Sequence, residues 1–71
     1  MAWNYRVIQR KFEHEDVFAI YEVYYDNNGK PNGMTEQPSY PHGYSLQELK
    51  KYLKKYILAL DEPILQWDDF E

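Results

Sequence analysis

Two long runs of apolar and aromatic residues near the start of the chain predict a pair of β-strands. Residues 3–12 are rich in aromatic and β-branched side chains, and residues 17–25 contain neither Gly nor Pro. The polar run at residues 13–16 separates the two and marks a turn. We therefore expect these runs to form the first two strands of an antiparallel sheet.

A shorter run predicts a third strand. Residues 26–33 contain Asp, Asn, Gly and Pro, the residue types of tight turns, and the run at 34–37 follows them. We place this strand at an edge because Pro38 cannot donate to a strand ladder. The three strands then form an antiparallel meander.

A helix is predicted by the clearest local signal in the chain. Ser45, with Glu48 three residues later, forms a capping box, and Pro63 limits continuation, so the helix should cover residues 46–60. Its apolar side chains form one stripe that we expect to pack on the sheet. These are Leu46, Leu49, Leu53, Tyr56, Ile57 and Leu60. The opposite face carries Lys50, Lys51, Lys54, Lys55 and the isolated Leu58.

The pattern as a whole predicts one α+β domain over residues 1–71, in which a three-stranded antiparallel meander packs on one C-terminal amphipathic helix in the order βββα. The tail, residues 61–71, combines acidic residues with large apolar ones: Ile64, Leu65, Trp67 and Phe70. We expect part of this tail to pack back on the domain, and a short fourth strand is one form it can take.

A single helix covers only one face of such a sheet. To the helix side we assign Trp3, Tyr5, Val7, Tyr21, Val23 and Tyr25. The second face then mixes apolar, aromatic and charged residues, as interfaces do. This first candidate surface consists of Arg6, Ile8, Arg10, Phe12, Phe18, Ile20, Glu22 and Tyr24. We expect this surface to be covered either by a partner, which can be a second copy of the chain, or by the tail with Trp67 and Phe70.

Composition and charge narrow the function classes. A chain of 71 residues buries only about 60% of its unfolded surface, and without cysteine it relies on its two Trp, eight Tyr and three Phe for a core. The formal charge of −4 argues against broad nucleic-acid binding, which depends on Lys and Arg. No apolar run is long enough to span a membrane and no signal peptide is visible, so we expect a cytoplasmic protein without membrane contact.

Few residues suit catalysis or metal binding. Ser45 is explained as a helix cap, which leaves Ser39 near His42 as poor material for a catalytic triad. His14 and His42 are too few for a zinc site with four ligands. No Gly-rich phosphate loop is present. We therefore expect no catalytic residue, no metal and no cofactor.

A second candidate surface combines the loop at residues 38–44 with the helix lysines. It consists of Tyr40, His42, Tyr44, Lys50, Lys51, Lys54, Lys55 and Leu58. Lysines on the outer side of a surface helix are usually solvated, which makes nucleic acid the less favoured partner.

Most of the chain resembles a family of short, uncharacterised bacterial proteins. The resemblance rests on Tyr5-Arg6-Val7-Ile8, the run Ile-Tyr-Glu-Val-Tyr-Tyr-Asp at 20–26, Gly29-Lys30-Pro31, Thr-Glu-Gln-Pro at 35–38, Ser-Leu-Gln-Glu-Leu at 45–49 and Ala-Leu-Asp-Glu-Pro-Ile-Leu at 59–65. It transfers no catalytic residue. Residues 43–49 are also similar to the strand-to-helix turn of the HicB antitoxin family, although the Gly- and Pro-bearing turn of that family is not matched. The HicB resemblance implies a protein-binding role, in which the domain masks a small basic ribonuclease.

These observations predict a non-enzymatic interaction module that binds itself or a protein partner, in one form as an antitoxin does. The binding surface would be the second sheet face or the helix surface. The alternative is a small-ligand or nucleic-acid-binding domain that uses the second candidate surface.

Overall fold

The computed structural model describes residues 2–70, which form a four-stranded sheet, one α-helix and a terminal 3-10 helix. The elements in chain order are β1 (Trp3–Lys11), β2 (Asp16–Tyr25), β3 (Pro31–Met34), α1 (Leu46–Leu60), β4 (Leu65–Gln66) and the 3-10 helix (Trp67–Phe70). Met1 and Glu71, which the predicted domain also includes, lie outside the described residues. The predicted α+β class with its βββα order is confirmed.

The centre of the sheet is the antiparallel pair of β1 and β2. Their register runs from Trp3 opposite Tyr24 to Lys11 opposite Asp16. The turn between them is closed by the backbone N–H of Phe12, which donates to the carbonyl of Glu15 at 2.8 Å. The sheet order is β3-β2-β1-β4, so the three predicted strands form the expected meander and β3 lies at an edge.

The predicted position of the third strand, residues 34–37, is wrong by three residues, because β3 is Pro31–Met34. The preceding turn closes quickly: the Asp26 carboxylate accepts two backbone N–H groups of the turn, each at 2.9 Å, and Gly29 supplies a positive φ of 77°. The strand can begin at Pro31 because its first residue needs no ladder donor.

Helix α1 begins and ends where the sequence predicts. Ser45 is the N-cap residue, and its Oγ accepts the backbone N–H of Glu48 at 3.2 Å. The Glu48 carboxylate in turn accepts the backbone N–H of Tyr44 at 2.7 Å, one residue before the cap. Together these bonds satisfy donors at the helix start and fix the end of the preceding loop against α1.

The face of α1 that packs on the sheet differs from the prediction. Of the six residues in the predicted stripe only Tyr56 is buried, and it contacts the sheet together with Ala59 and the half-buried Tyr52. The ring centroids of Tyr5 and Tyr56 lie 4.8 Å apart. Tyrosine rings carry more apolar area than leucine side chains, so packing them on Tyr5 rotates the leucines away from the sheet.

The tail packs against the face of the sheet opposite α1. Of the two predicted coverings of that face, a partner or the tail, the structure shows the tail. β4 runs parallel to β1, with Ile8 opposite Leu65 and Gln9 opposite Gln66. The Trp67 ring lies 5.8 Å from the Tyr21 ring at 62°. The cluster on this face contains Ile8, Tyr21 and Val23, packed against Ala19, Tyr25, Met34, Leu65, Trp67 and Phe70. The predicted fourth strand is therefore confirmed.

Candidate functional site

The first candidate surface does not exist as one surface. Residues opposite each other in an antiparallel pair share a face, so Ile20 opposite Val7 and Glu22 opposite Tyr5 belong to the helix side. The helix side of β2 consists of Phe18, Ile20, Glu22 and Tyr24, whereas the tail side of β1 consists of Asn4, Arg6, Ile8 and Arg10. The prediction that assigned Tyr21, Val23 and Tyr25 to the helix side is wrong. A two-residue period defines the faces of each strand but does not show which faces coincide.

Two tail-side residues of this set, Arg6 and Ile8, are covered by the chain itself, whereas Arg10 and Phe12 stay exposed. Ile8 is completely buried and Arg6 is 8% exposed. Arg6 donates to the Tyr25 hydroxyl at 3.0 Å and to the carbonyl of Pro63 at 2.7 Å. The sheet face at Arg6 and Ile8 is therefore not available to a partner.

Five of the exposed large apolar side chains lie on α1, and four of these form one stripe along it. Leu46, Leu53, Ile57 and Leu60 are 67%, 43%, 61% and 66% exposed, and we call these four residues the outer leucine stripe. The spacing of these residues predicted a core-facing side of the helix, because the same spacing is found on a core-facing side and on a docking side. No signal in the sequence separates the two.

The charge beside the stripe is positive. Lys50 lies one helical turn from Leu46 and from Leu53, and Lys54 lies three residues before Ile57, so both border the stripe. The prediction that placed these two lysines on the opposite face of the helix is therefore wrong. The only acidic residue of α1 is Glu48 in its first turn. Within residues 2–70 no Lys or Arg side chain forms an ion pair with Asp or Glu, and the one close contact of this kind joins the exposed His14 and Glu13 side chains at 3.9 Å. The helix lysines therefore carry no counter-charge in the described part of the chain.

The second candidate surface is divided between two places. Tyr40 and His42 approach α1: the ring centroids of Tyr40 and His42 are 5.3 Å apart, and those of His42 and Tyr52 are 4.8 Å apart. Tyr44 is 98% exposed and Leu58 is 65% exposed. Lys50, Lys51, Lys54 and Lys55 are all exposed.

The approach of the loop to α1 forms a pocket of about 240 Å³ over the helix side of the sheet. We call it the tyrosine pocket. It lies between β1, β2, α1 and the loop, and its lining includes Tyr5, Glu22, Tyr40, His42, Tyr52 and Tyr56. The sequence predicted Tyr40 and His42 as part of the second candidate surface and Glu22 as part of the first, but it did not predict Tyr5, Tyr52 and Tyr56 as site residues. These residues lie on separate elements whose packing the sequence does not define.

Burial raises the pKa of two hydroxyl groups of this pocket, those of Tyr5 and Tyr56. Burial, with the nearby Tyr52, Tyr56 and Glu22, raises the pKa of Tyr5 to about 12. Burial also raises the pKa of Tyr56, and the nearby Ser39 side chain offsets this rise in part. The Tyr56 hydroxyl is nevertheless buried without a partner at standard hydrogen-bond geometry. Glu22 is the only Asp or Glu residue of the lining.

Other kinds of site find little support in residues 2–70. The described residues contain no group of three or more His, Cys, Asp or Glu side chains that could hold a metal ion. In the same part of the chain no helix is long and apolar enough to cross a membrane. Ser45 acts as the helix cap, as predicted, and a ring nitrogen of His42 lies 3.2 Å from the Tyr40 carbonyl.

The chain was compared with known proteins at three levels: no family model, no curated protein and no solved structure matches it. The resemblances to the uncharacterised bacterial family and to the HicB family therefore stay predictions.

Proposed function

We propose that this protein is a non-enzymatic interaction module that binds a protein partner through the outer leucine stripe. The observation that carries the proposal is the exposure of Leu46, Leu53, Ile57 and Leu60 on a helix that already packs on its own sheet through another side. Folded domains rarely leave a contiguous apolar surface of this kind in water unless it serves as a contact site.

The spacing of the stripe favours a helical partner. Leu46, Leu53 and Leu60 recur every seven residues along α1. This heptad spacing is the one by which a second helix inserts its side chains between those of the first. The occupant that fits best is therefore a helix with an apolar stripe of its own.

The positive charge beside the stripe favours a partner whose bordering residues are negatively charged. Lys50 and Lys54 border the stripe and have no acidic partner within residues 2–70. Complementary charge at the rim of an interface speeds association and disfavours partners of the wrong sign. We therefore expect Asp and Glu to border the apolar stripe of the partner helix.

Self-association through the same stripe is less favoured. Two copies that pair antiparallel about a two-fold axis bring the same edge of each helix together. On this protein that edge carries Lys50 and Lys54, so like charges would meet. The antitoxin-like form of the proposal differs in another way, because the HicB resemblance implies a basic partner and the stripe favours an acidic one.

Two designed helical peptides test the proposal. Both carry Leu at heptad positions, and they differ only in whether Glu or Lys borders the leucines. We expect the Glu peptide to shift the methyl NMR signals of Leu53 and Ile57 and to bind at least about tenfold more tightly than the Lys peptide. The Leu53→Ser/Ile57→Ser double variant should lose this binding. Leu58→Ser is the matched control, since Leu58 is equally exposed but lies among the lysines on another face.

Three outcomes would count against the proposal. The stripe is not a docking site if neither peptide gives saturable shifts while sedimentation shows a monomer at about 1 mM, a concentration at which even weak pairing is visible. A dimer lost in the double variant would make a second copy the occupant. Salt-sensitive binding of a short RNA or DNA that competes with the Glu peptide would favour the nucleic-acid alternative.

A further inference from the structure

The lining of the tyrosine pocket has the chemical character of a cation site. Tyr5, Tyr52 and Tyr56, from β1 and α1, line it together with Tyr40 and His42 of the loop and the Glu22 carboxylate, and neither Lys nor Arg is part of the lining. The rest of the lining is neutral: Thr35, Gln37, Pro38 and Ser39. Aromatic ring faces carry partial negative charge and attract cations. An anion would meet the Glu22 carboxylate and these ring faces without a fixed positive partner.

The rings are close enough together to act on one bound group. The centroid of Tyr5 lies 4.8 Å from that of Tyr56 and 6.4 Å from that of Tyr52, and Tyr52 lies 6.4 Å from Tyr56. The planes are tilted by 52°, 57° and 74°, so the rings form walls and not a stack. A cation among them can lie within about 6 Å of all three centroids, the range in which cation–π attraction is significant.

Glu22 provides the counter-charge. It lies directly opposite Tyr5 across the β1–β2 pair and is half-buried. Within residues 2–70 it makes no ion pair. A half-buried carboxylate without a cation is costly to desolvate, and a bound cation would offset that cost.

We propose that the tyrosine pocket binds a methylated ammonium group, with the methyl groups against Tyr5, Tyr52 and Tyr56 and the charge facing Glu22. A quaternary ammonium needs no hydrogen-bond acceptor and places its methyl groups against ring faces, so it makes use of both the tyrosine rings and the Glu22 charge. The volume of about 240 Å³ is below the usual range for whole drug-sized ligands and suits a head group. This site is separate from the outer leucine stripe and does not depend on it.

Tetramethylammonium is the probe, and 3,3-dimethylbutanol, which has nearly the same shape at its end but no charge, is the matched control. In an NMR titration the methyl protons of tetramethylammonium should move upfield as they approach ring faces, with shifts at Tyr5, Tyr52 and Tyr56. We expect the neutral alcohol to bind at least about tenfold more weakly, because it lacks the cation–π attraction. Equal affinity for both probes, or no saturable shift by about 100 mM, a concentration beyond which a site has no specificity, would overturn the proposal.

Two pairs of variants test the roles of the residues. Glu22→Gln keeps the shape and removes the charge, and it should weaken tetramethylammonium binding by about tenfold, whereas Glu36→Gln on the exposed surface should not. Tyr52→Leu should weaken it by a similar factor, whereas Tyr52→Phe retains a ring and most of the affinity. Unchanged affinity in both Glu22→Gln and Tyr52→Leu would contradict the assignment of the site. Circular dichroism identifies any variant that has lost its fold. If Tyr52→Leu has lost its fold, Glu22→Gln, which removes no volume, tests the site by itself.

The same methylated ammonium can belong to a free small molecule or to a modified lysine of a protein. A peptide with trimethyl-lysine, compared with the unmethylated peptide and with tetramethylammonium, separates the two sources. Tighter binding of the methylated peptide than of both others identifies a protein side chain as the ligand. Equal affinity for the methylated peptide and tetramethylammonium identifies a free small cation.

Discussion

The guanidinium carbon of Arg10 lies 4.0 Å from the centroid of the Trp67 ring. The same guanidinium carbon lies 4.9 Å from the centroid of the Phe12 ring. Arg10 therefore contacts one aromatic ring just after β1 and one in the tail. With the Tyr21 ring 5.8 Å away, Trp67 connects the tail to both central strands. The tail is thus part of the core on this face of the sheet.

Removal of the Trp67 side chain should therefore destabilise the whole domain. We expect Trp67→Ala to lower the free energy of unfolding by about 2–4 kcal/mol, since large aromatic side chains packed in a core cost this much when truncated. Phe18→Ala is the control, because Phe18 is 55% exposed. Urea denaturation followed by far-ultraviolet circular dichroism measures both. Equal small losses in the two variants would show that the tail does not support the fold.

The orientation of α1 gives a second prediction. Tyr56→Ala should cost about 3 kcal/mol because Tyr56 is buried against Tyr5, whereas Ile57→Ala should cost less than about 1 kcal/mol because Ile57 is 61% exposed. Tyr and Ile have similar helix propensities, so the gain in propensity on replacement by Ala is about the same at both positions. Denaturation curves of the two variants provide the comparison, and the reverse order of losses would mean that the leucines face the sheet.

The orientation of α1 also shows how far the sequence predicts the structure. The cap at Ser45, the end of α1 and the first two strands follow from local chemistry, and each appears within one residue of its predicted place. Which side of α1 meets the sheet does not follow locally, since leucines and tyrosines both offered an apolar side. The contact of Tyr56 with Tyr5 decided it.

The candidate site was harder to predict for the same physical reason. The four exposed lysines lie on one helix, and Tyr40 and His42 lie in one loop. Because each group belongs to a single segment, the sequence was sufficient to identify both. The tyrosine pocket instead needs the β1–β2 register, which places Glu22 opposite Tyr5. A shift of that register by one residue would reverse the face of every side chain in one strand.

Gly43 gives a third prediction, which connects the loop to the pocket. A Cβ added at Gly43 would lie 2.8 Å from the backbone nitrogen of Leu49 and 2.8 Å from the Cβ of Glu48. The loop would have to move away from α1, so Gly43→Ala should destabilise the protein by about 1–3 kcal/mol, as overpacking does. Gly33→Ala is the control, because its Cβ would meet only the Tyr24 side chain at 3.8 Å.

The same displacement should move His42 away from Tyr52 and open one wall of the tyrosine pocket. Gly43→Ala should therefore also weaken tetramethylammonium binding, in the same NMR titration, while Gly33→Ala should not. If Gly43→Ala and Gly33→Ala have the same stability and the same affinity, the loop is not held against α1 in the way described.

The raised pKa of Tyr5 gives a prediction for alkaline pH. Its folded-state pKa of about 12 lies above the ordinary value of 10.0, so the folded state holds the proton more tightly than the unfolded state does. The stabilisation is fully present below about pH 10 and is lost as the pH rises towards about 12. Since one pKa unit corresponds to about 1.4 kcal/mol, the full loss amounts to about 2–3 kcal/mol.

Comparison of Tyr5→Phe with the unmodified protein isolates this effect from the titration of the lysines and the other tyrosines. Urea denaturation at about pH 8 and about pH 11 should show a smaller alkaline loss of stability in Tyr5→Phe, because Phe has no proton to release. Tyr44→Phe is the matched control: Tyr44 is 98% exposed, and its replacement should leave the alkaline loss unchanged. An equal loss in all three proteins would mean that the Tyr5 hydroxyl titrates as it does in water, and that the tyrosine pocket is more open to solvent than its geometry indicates.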